Sequence, residues 1–249
     1  MSLDLEAAFW GGVVGLALLL GAALGYFVKL PHKVVASVMA FGAGVLISTL
    51  SFELMETATR KGGLLSAVMG FSFGVIIYSS ANAVLSLYGA KHRKRSTLPG
   101  SHSAQGAGTA IVLGAIIDGV PEAAAIGVSL LEGEGVALVT VLAIFLSNIP
   151  EGLSSSAGMR ASGKSARYVF GLWLSIAGVC AMSAWLGFRF LGLFGDTYVA
   201  FAIAVAAGAI LVMIIQTMVP EAFENIHSIT GPVAAAGFLT AYSASILLG

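Results

Sequence analysis

Two stretches of the chain place acids where acids are costly. One reads Asp118-Gly-Val-Pro-Glu122-Ala and the other Ser147-Asn148-Ile-Pro-Glu151-Gly, so the Pro-Glu pair recurs after 29 residues. Asp118 and Glu122 are four apart, and Asn148 and Glu151 three apart, so on a helix each pair shares one face. Both stretches sit inside long apolar runs. A carboxylate there costs several kcal/mol, normally faces a bundle interior, and marks a path for an ion or a proton. Seven of the 12 acids lie inside or at the ends of apolar runs: Glu53, Glu56, Asp118, Glu122, Glu151, Glu221 and Glu224. No Lys or Arg lies within such a core. Salt bridges therefore cannot satisfy the acids at depth. They must be protonated, hydrogen-bonded, hydrated, or bound to a cation from solution. Pro121 and Pro150 each remove a backbone donor and free the carbonyls of Ile117 and Leu146 one turn earlier. Exposed backbone oxygen is tolerated at membrane depth where it lines a cavity or holds an ion.

The elements that would position these groups are membrane helices. Of 249 residues 58% are apolar and 10% charged, whereas soluble domains carry about a quarter charged residues. Runs of about 20 apolar residues span a bilayer core. Eight are expected, over 8–28, 34–57, 63–88, 107–130, 136–159, 166–190, 198–219 and 231–248. The fold class is all-α, a single polytopic domain over 1–249. Counted from a turn near Gly133-Glu134, Glu122 lies about 12 residues deep, Asn148 and Asp118 about 15, and Glu151 about 18. At 1.5 Å per residue the four spread over roughly 9 Å near mid-membrane. Oxygen ligands from two antiparallel helices would then converge on a cation. Glu53 and Glu56 close the second span on the outer side as an entrance. Glu221, Glu224 and His227 close the seventh on the inner side as an exit.

Charge sets the orientation. The connections after the first, third, fifth and seventh spans hold nine Lys and Arg, and the other side holds three. By the positive-inside rule both termini lie outside, extracellular or periplasmic, and the basic Ser/Gly-rich loop over about 89–106 is cytoplasmic. His92 and His102 fall in that loop and read as solvated. The first apolar segment is long enough to span and follows an acidic start, so no cleaved signal is expected. Zero net charge argues against nucleic acid as a partner. The single cysteine, Cys180, allows no intrachain disulfide and reads as packing. An intramembrane hydrolase would want Ser or Cys beside a His base, and no His falls in an expected span. The His-Glu-x-x-His set of an intramembrane metalloprotease is absent. The chain is therefore not read as an enzyme.

With these residues in place, the chain resembles the ZIP (Zrt/Irt-like) divalent-metal transporters over most of its length. The likeness lies in eight helices, external termini, a long cytoplasmic loop between the third and fourth, and Pro-Glu motifs on the fourth and fifth. Phe41-Gly-Ala-Gly44 and Val219-Pro-Glu221 also look like the family. The resemblance implies transport of divalent cations (zinc, iron or manganese class, with Cd²⁺ beside them) toward the cytoplasm across the plasma, or inner, membrane. It implies a metal site at Asp118, Glu122, Ser147, Asn148 and Glu151. It also implies motion of helices 1, 4, 5 and 6 against 2, 3, 7 and 8. No cofactor is required beyond the transported ion. The partners are that ion and lipid, with a homodimer allowed and no nucleic acid. Asp118 and Ser147 stand where the family commonly carries histidine, Gly119 where it carries asparagine, and 175–180 of the sixth span lacks the acid many members have there. Oxygen-only ligands suit harder cations such as Mn²⁺, Fe²⁺, Mg²⁺ or Ca²⁺, whereas imidazole favours Zn²⁺. The same carboxylates would also serve a proton- or sodium-coupled carrier of another solute. Metal dependence of transport separates the two.

The charge asymmetry makes one prediction. A cysteine placed at Ser101 in a Cys180→Ala background should stay shielded from an impermeant thiol reagent in intact cells. Ready labelling from outside would reverse the orientation.

Overall fold

The computed structural model describes residues 2–28, 30–87, 104–132, 138–191 and 193–248. The loop over 89–103, with His92 and His102, and the expected turn near Gly133 lie outside the described residues. Among those described, every regular element is helical. In lipid an α-helix meets its backbone hydrogen bonds within itself, which is why long apolar runs adopt it. The helices are α1 (Leu3–Phe27), α2 (His32–Thr49), α3 (Met55–Leu87), α4 (Ala104–Ser129), α5 (Leu138–Ala161), α6 (Ala166–Leu191), α7 (Asp196–Met213), α8 (Val219–Ile226) and α9 (Thr230–Leu248). Single π-helical turns, Leu50–Leu54 and Ile214–Met218, join α2 to α3 and α7 to α8. Four stretches are long and apolar enough to cross a membrane: Leu3–Phe27, His32–Val84, Ala166–Leu191 and Asp196–Leu247. Large side chains such as Leu64, Leu65 and Leu247, at 70%, 73% and 82% exposed, cover their outer faces.

The expected spans over 34–57 and 63–88 are both found, but without an intervening loop. The helix runs on through 55–62 and breaks at Gly63, whose φ of 75° and ψ of 169° suit only glycine. The seventh span runs further than expected. Instead of ending at Val219, it passes the π turn, takes Pro220 into the first turn of α8, and stops at Ile226. Proline fits there because first-turn amides lack intrahelical partners anyway. α4 and α5 continue through Pro121 and Pro150. After α5 the chain turns at Gly163 (φ 77°), with Lys164 N–H donating to the Met159 carbonyl and Gly163 N–H to that of Arg160. That pair of bonds is the glycine-dependent helix stop.

The helices sort into two bundles. α1, α4, α5 and α6 pack on one another, chiefly α1 on α5 and α6, and α4 on α6. α2, α3, α7, α8 and α9 form the other, chiefly α3 on α7 and α2 on α9. They meet along a seam where α2 touches α5 and α4 touches α7.

A repeat that the sequence reading did not detect underlies this. α2 and α7, the two π turns, and the breaks at Gly63 and His227 are each related by one offset of 164 residues, as 196 is to 32. Five of the 18 aligned residues in α2 and α7 are identical: Val35, Ala36, Ala40, Ala43 and Gly44 with Val199, Ala200, Ala204, Ala207 and Gly208. All ten are buried. Exchanging α1 with α6, α2 with α7, α3 with α9 and α4 with α5 maps the main packing pairs onto one another. Within the pairs, small residues bring backbones together. A Cβ on Gly44 would strike the Ala234 carbonyl, and one on Gly208 that of Phe71. Gly21 and Gly152 likewise face the Ile149 and Leu18 carbonyls.

Gly21→Ala should therefore cost about 1–3 kcal/mol, because the obstacle is backbone that cannot turn aside. Gly12→Ala, whose Cβ would meet Ala181 at an ordinary 3.9 Å, should be neutral. Thermal unfolding in detergent measures both, and equal effects would refute the close α1–α5 approach.

Candidate functional site

The seam is where the acids gather. Asp118 and Glu122 on α4 are 2% and 1% exposed, Glu151 on α5 is 8%, and Glu221 on α8 is 6%. Ser147, Asn148 and Ser154 on α5 are buried with them. Burial follows from position. α4 and α5 lie between neighbours on both sides: Asp118 and Ser154 meet α3 and α8 of the second bundle, while Asn148 and Ser156 meet α1 and α6 of the first. Among the described residues no Lys, Arg or His is buried.

Each side chain has a definite setting. The Tyr78 hydroxyl on α3 donates to Asp118 Oδ1 across the seam. The Ser154 hydroxyl donates to Glu221 Oε1 at 2.5 Å, again across it. Asn148 Nδ2 donates to the Val14 carbonyl of α1 at 2.9 Å, which turns the amide oxygen the other way. The Ser147 hydroxyl donates to the Ile144 carbonyl at 2.9 Å, leaving its lone pairs open to a further partner. A Cβ on Gly42 would stand 3.3 Å from Ser147 Cα and 3.5 Å from Met218 Cε, so α2, α5 and the second π turn converge there. Cys180 of α6 is buried, its sulfur 4.0 Å from the Gly119 carbonyl, and Glu122 and Glu151 both act on it electrostatically.

Of the expected ligands, Asp118 and Ser147 meet the second bundle directly, whereas Asn148 faces α1, and α4 and α5 are not a side-by-side pair. α4 packs mainly on α6 and α5 mainly on α1, and the two touch each other only briefly. Among the described residues no three His, Cys, Asp or Glu side chains form a group that could hold a metal ion. A cation here would need hydroxyl, amide and backbone oxygens beside the carboxylates, a donor set typical of hard cations.

The expected entrance and exit are placed differently from one another. Glu53 lies half-buried in the first π turn and accepts from the Ser245 hydroxyl of α9, while Glu56 is exposed. The second π turn is held in the same way, Asn82 of α3 donating to Gln216 at 2.5 Å. Glu221 is buried, whereas Glu224 and His227 are exposed. The trio expected as an exit at the end of the seventh span is thus divided between buried and exposed positions, because α8 continues the helix past Glu221. His227 closes α8 in a strained conformation, φ 34°.

Sequence reading missed Tyr78, Ser154, Asn82, Gln216 and Ser245. A lone Tyr or Gln in an apolar helix carries no pattern. The run Ser154-Ser-Ser156 after Glu151 was a usable signal: Ser154 meets Glu221, and Ser156 accepts from Trp173 Nε1 at 2.7 Å. Compared with known proteins, the chain matches no family model and no curated protein significantly.

The Asn148 geometry is testable. Asn148→Asp replaces a donor facing the Val14 carbonyl with an acceptor and buries another negative charge. It should cost about 3 kcal/mol or more, read as a lowered thermal midpoint in detergent. An unchanged midpoint would mean that the amide does not face α1.

Proposed function

We propose that the chain is a multi-pass transporter of divalent metal cations toward the cytoplasm, similar to the ZIP family. The observation that carries this is the burial of Asp118, Glu122, Glu151 and Glu221 in apolar helices, with Asp118 and Glu221 bonded across the seam and no buried Lys, Arg or His among the described residues. Carboxylates buried in an apolar bundle lose their hydration, and an arriving cation relieves that cost. On this reading α1, α4, α5 and α6 each cross once, as does α9. α2 with the start of α3 makes a further crossing, α3 after Gly63 another, and α7 with α8 another, which brings the total to eight. The termini then lie outside, and the two repeats stand in the membrane with opposite directions. Inverted repeats flanking a mid-membrane ion site are a common transporter design.

The path runs from Glu53 and Glu56 to the seam and leaves past Glu221, Glu224 and His227. Along this path Asp118, Glu122 and Glu151 supply charge, no more than two of them to one ion in the described arrangement, while Ser147 and the Asn148 amide oxygen supply neutral donors. Oxygen donors favour Mn²⁺ and Fe²⁺ over Zn²⁺ relative to a histidine-bearing site. Transport proceeds as the bundles shift against each other and expose the seam to each side in turn.

The decisive experiment is uptake into sealed proteoliposomes across a panel of divalent cations. Glu122→Gln with Glu151→Gln keeps side-chain size while removing two charges. It should abolish metal uptake and metal-induced thermal stabilisation, and leave the metal-free protein equally or more stable. Wild-type uptake by that double variant would rule out the pair. Solute uptake driven by a proton or sodium gradient without divalent metal would favour the coupled-carrier reading instead.

A further inference from the structure

We propose that the Tyr78 and Ser154 hydroxyls are latches that hold the two bundles in the described arrangement. Each closes on a carboxylate of the seam, so a cation arriving at Asp118 or Glu221 competes with the latch for that oxygen. The cation's part in this rests on the transport reading above; the latches themselves rest on geometry.

The first ground is where the bonds run. Tyr78–Asp118 joins α3 to α4 and Ser154–Glu221 joins α5 to α8, so both cross from one bundle to the other. Asn82–Gln216, Ser245–Glu53 and Trp173–Ser156 each stay within a bundle. A sliding of the bundles breaks the first two bonds and spares the other three.

The second ground is the repeat. At the 164-residue offset Tyr78 corresponds to Tyr242, and Glu221 to Thr57. At the 29-residue offset of the Pro-Glu motif Asp118 corresponds to Ser147, and Ser154 to Ala125. Exchanging the conformations of the two repeats would thus set Tyr242 against Ser147 and Thr57 against Ala125. Neither pair contains a carboxylate. Two inverted repeats by themselves make the two end states nearly equal in energy, and residues that differ between the copies decide the bias. The latches are such residues, and they close in only one of the two states. A hydroxyl donating to a charged acceptor is worth a factor of roughly 10 to 100 in an equilibrium, enough to hold a two-state system on one side. A divalent cation bound to the same carboxylate oxygen displaces the hydroxyl and removes that bias.

The test uses the full-length protein in detergent, with Cys180→Ala and a reporter cysteine at Ser147. This position is 2% exposed and lies on the seam against Gly42 and Met218. Without divalent cation, Tyr78→Phe with Ser154→Ala should raise the alkylation rate of the reporter about tenfold, while Ser154→Thr, which keeps the hydroxyl, should label like the parent. An unchanged or slower rate in the double variant overturns the latches. If that variant does not purify as folded protein, Tyr78→Phe alone, which keeps the buried ring, is held to a threefold rise. In the Ser147-bearing chain, Tyr78→Phe should also lower the Mn²⁺ concentration that half-stabilises the protein by about tenfold. A raised or unchanged concentration overturns the competition, and a raised one marks the phenol as a ligand. If Mn²⁺ fails to stabilise even the unmutated chain, the transport reading has failed, and the labelling rate alone decides the latches.

Discussion

Asp118, Glu122, Glu151 and Glu221 lie buried in an apolar helical bundle with no buried Lys, Arg or His among the described residues. This imbalance constrains everything around it. Moving a carboxylate out of water costs several kcal/mol unless hydrogen bonds or an opposite charge replace its hydration. The chain meets part of that cost with hydroxyls, from Tyr78 to Asp118 and from Ser154 to Glu221. Neutral donors stabilise an anion without cancelling its charge. The seam therefore keeps its buried acids without a buried cationic side chain among the described residues.

The acids can be clustered in this way because the rest of the protein is built from close backbone contacts. Gly44 and Gly208 in α2 and α7, and Gly21 and Gly152 in α1 and α5, let helices approach until a Cβ would strike a carbonyl. Such packing makes each bundle a tight body. The boundary between bundles carries two bonds to carboxylates, Tyr78–Asp118 and Ser154–Glu221, beside apolar contacts. A rigid pair of bodies with a polar boundary is the arrangement in which relative motion costs least. The second π turn lies beside that boundary, Met218 and Ser147 both bordering Gly42, and each π turn is held by a polar side chain from the neighbouring helix, Ser245 on the first and Asn82 on the second. Wide turns of this kind recur at functional sites because they leave the backbone locally adjustable.

The resemblance to divalent-metal transporters rests on the Pro-Glu motifs, the expected helix order and the charge asymmetry. The grouping of helices into two bundles is a separate structural fact, set by packing.

What the sequence by itself determined was the helical class, the apolar lengths, the sparing of the cores by Lys and Arg, and the faces shared by Asp118 with Glu122 and Asn148 with Glu151. These are local properties, set by composition and the 3.6-residue period. The break at Gly63 was legible too, as the edge of an expected span. Which faces meet was not legible. α5 packs on α1 rather than along α4, because the Gly21 and Gly152 notches fit one another, and that fit depends on residues more than a hundred positions apart. The 164-residue repeat is written in the chain, but only in buried small residues such as Ala40 and Ala204 that any membrane helix could carry. Tyr78 and Ser154 acquired their roles only when folding brought α3 to α4 and α8 to α5. A hydroxyl has no period of its own, and its function is fixed by the carboxylate that tertiary packing sets against it.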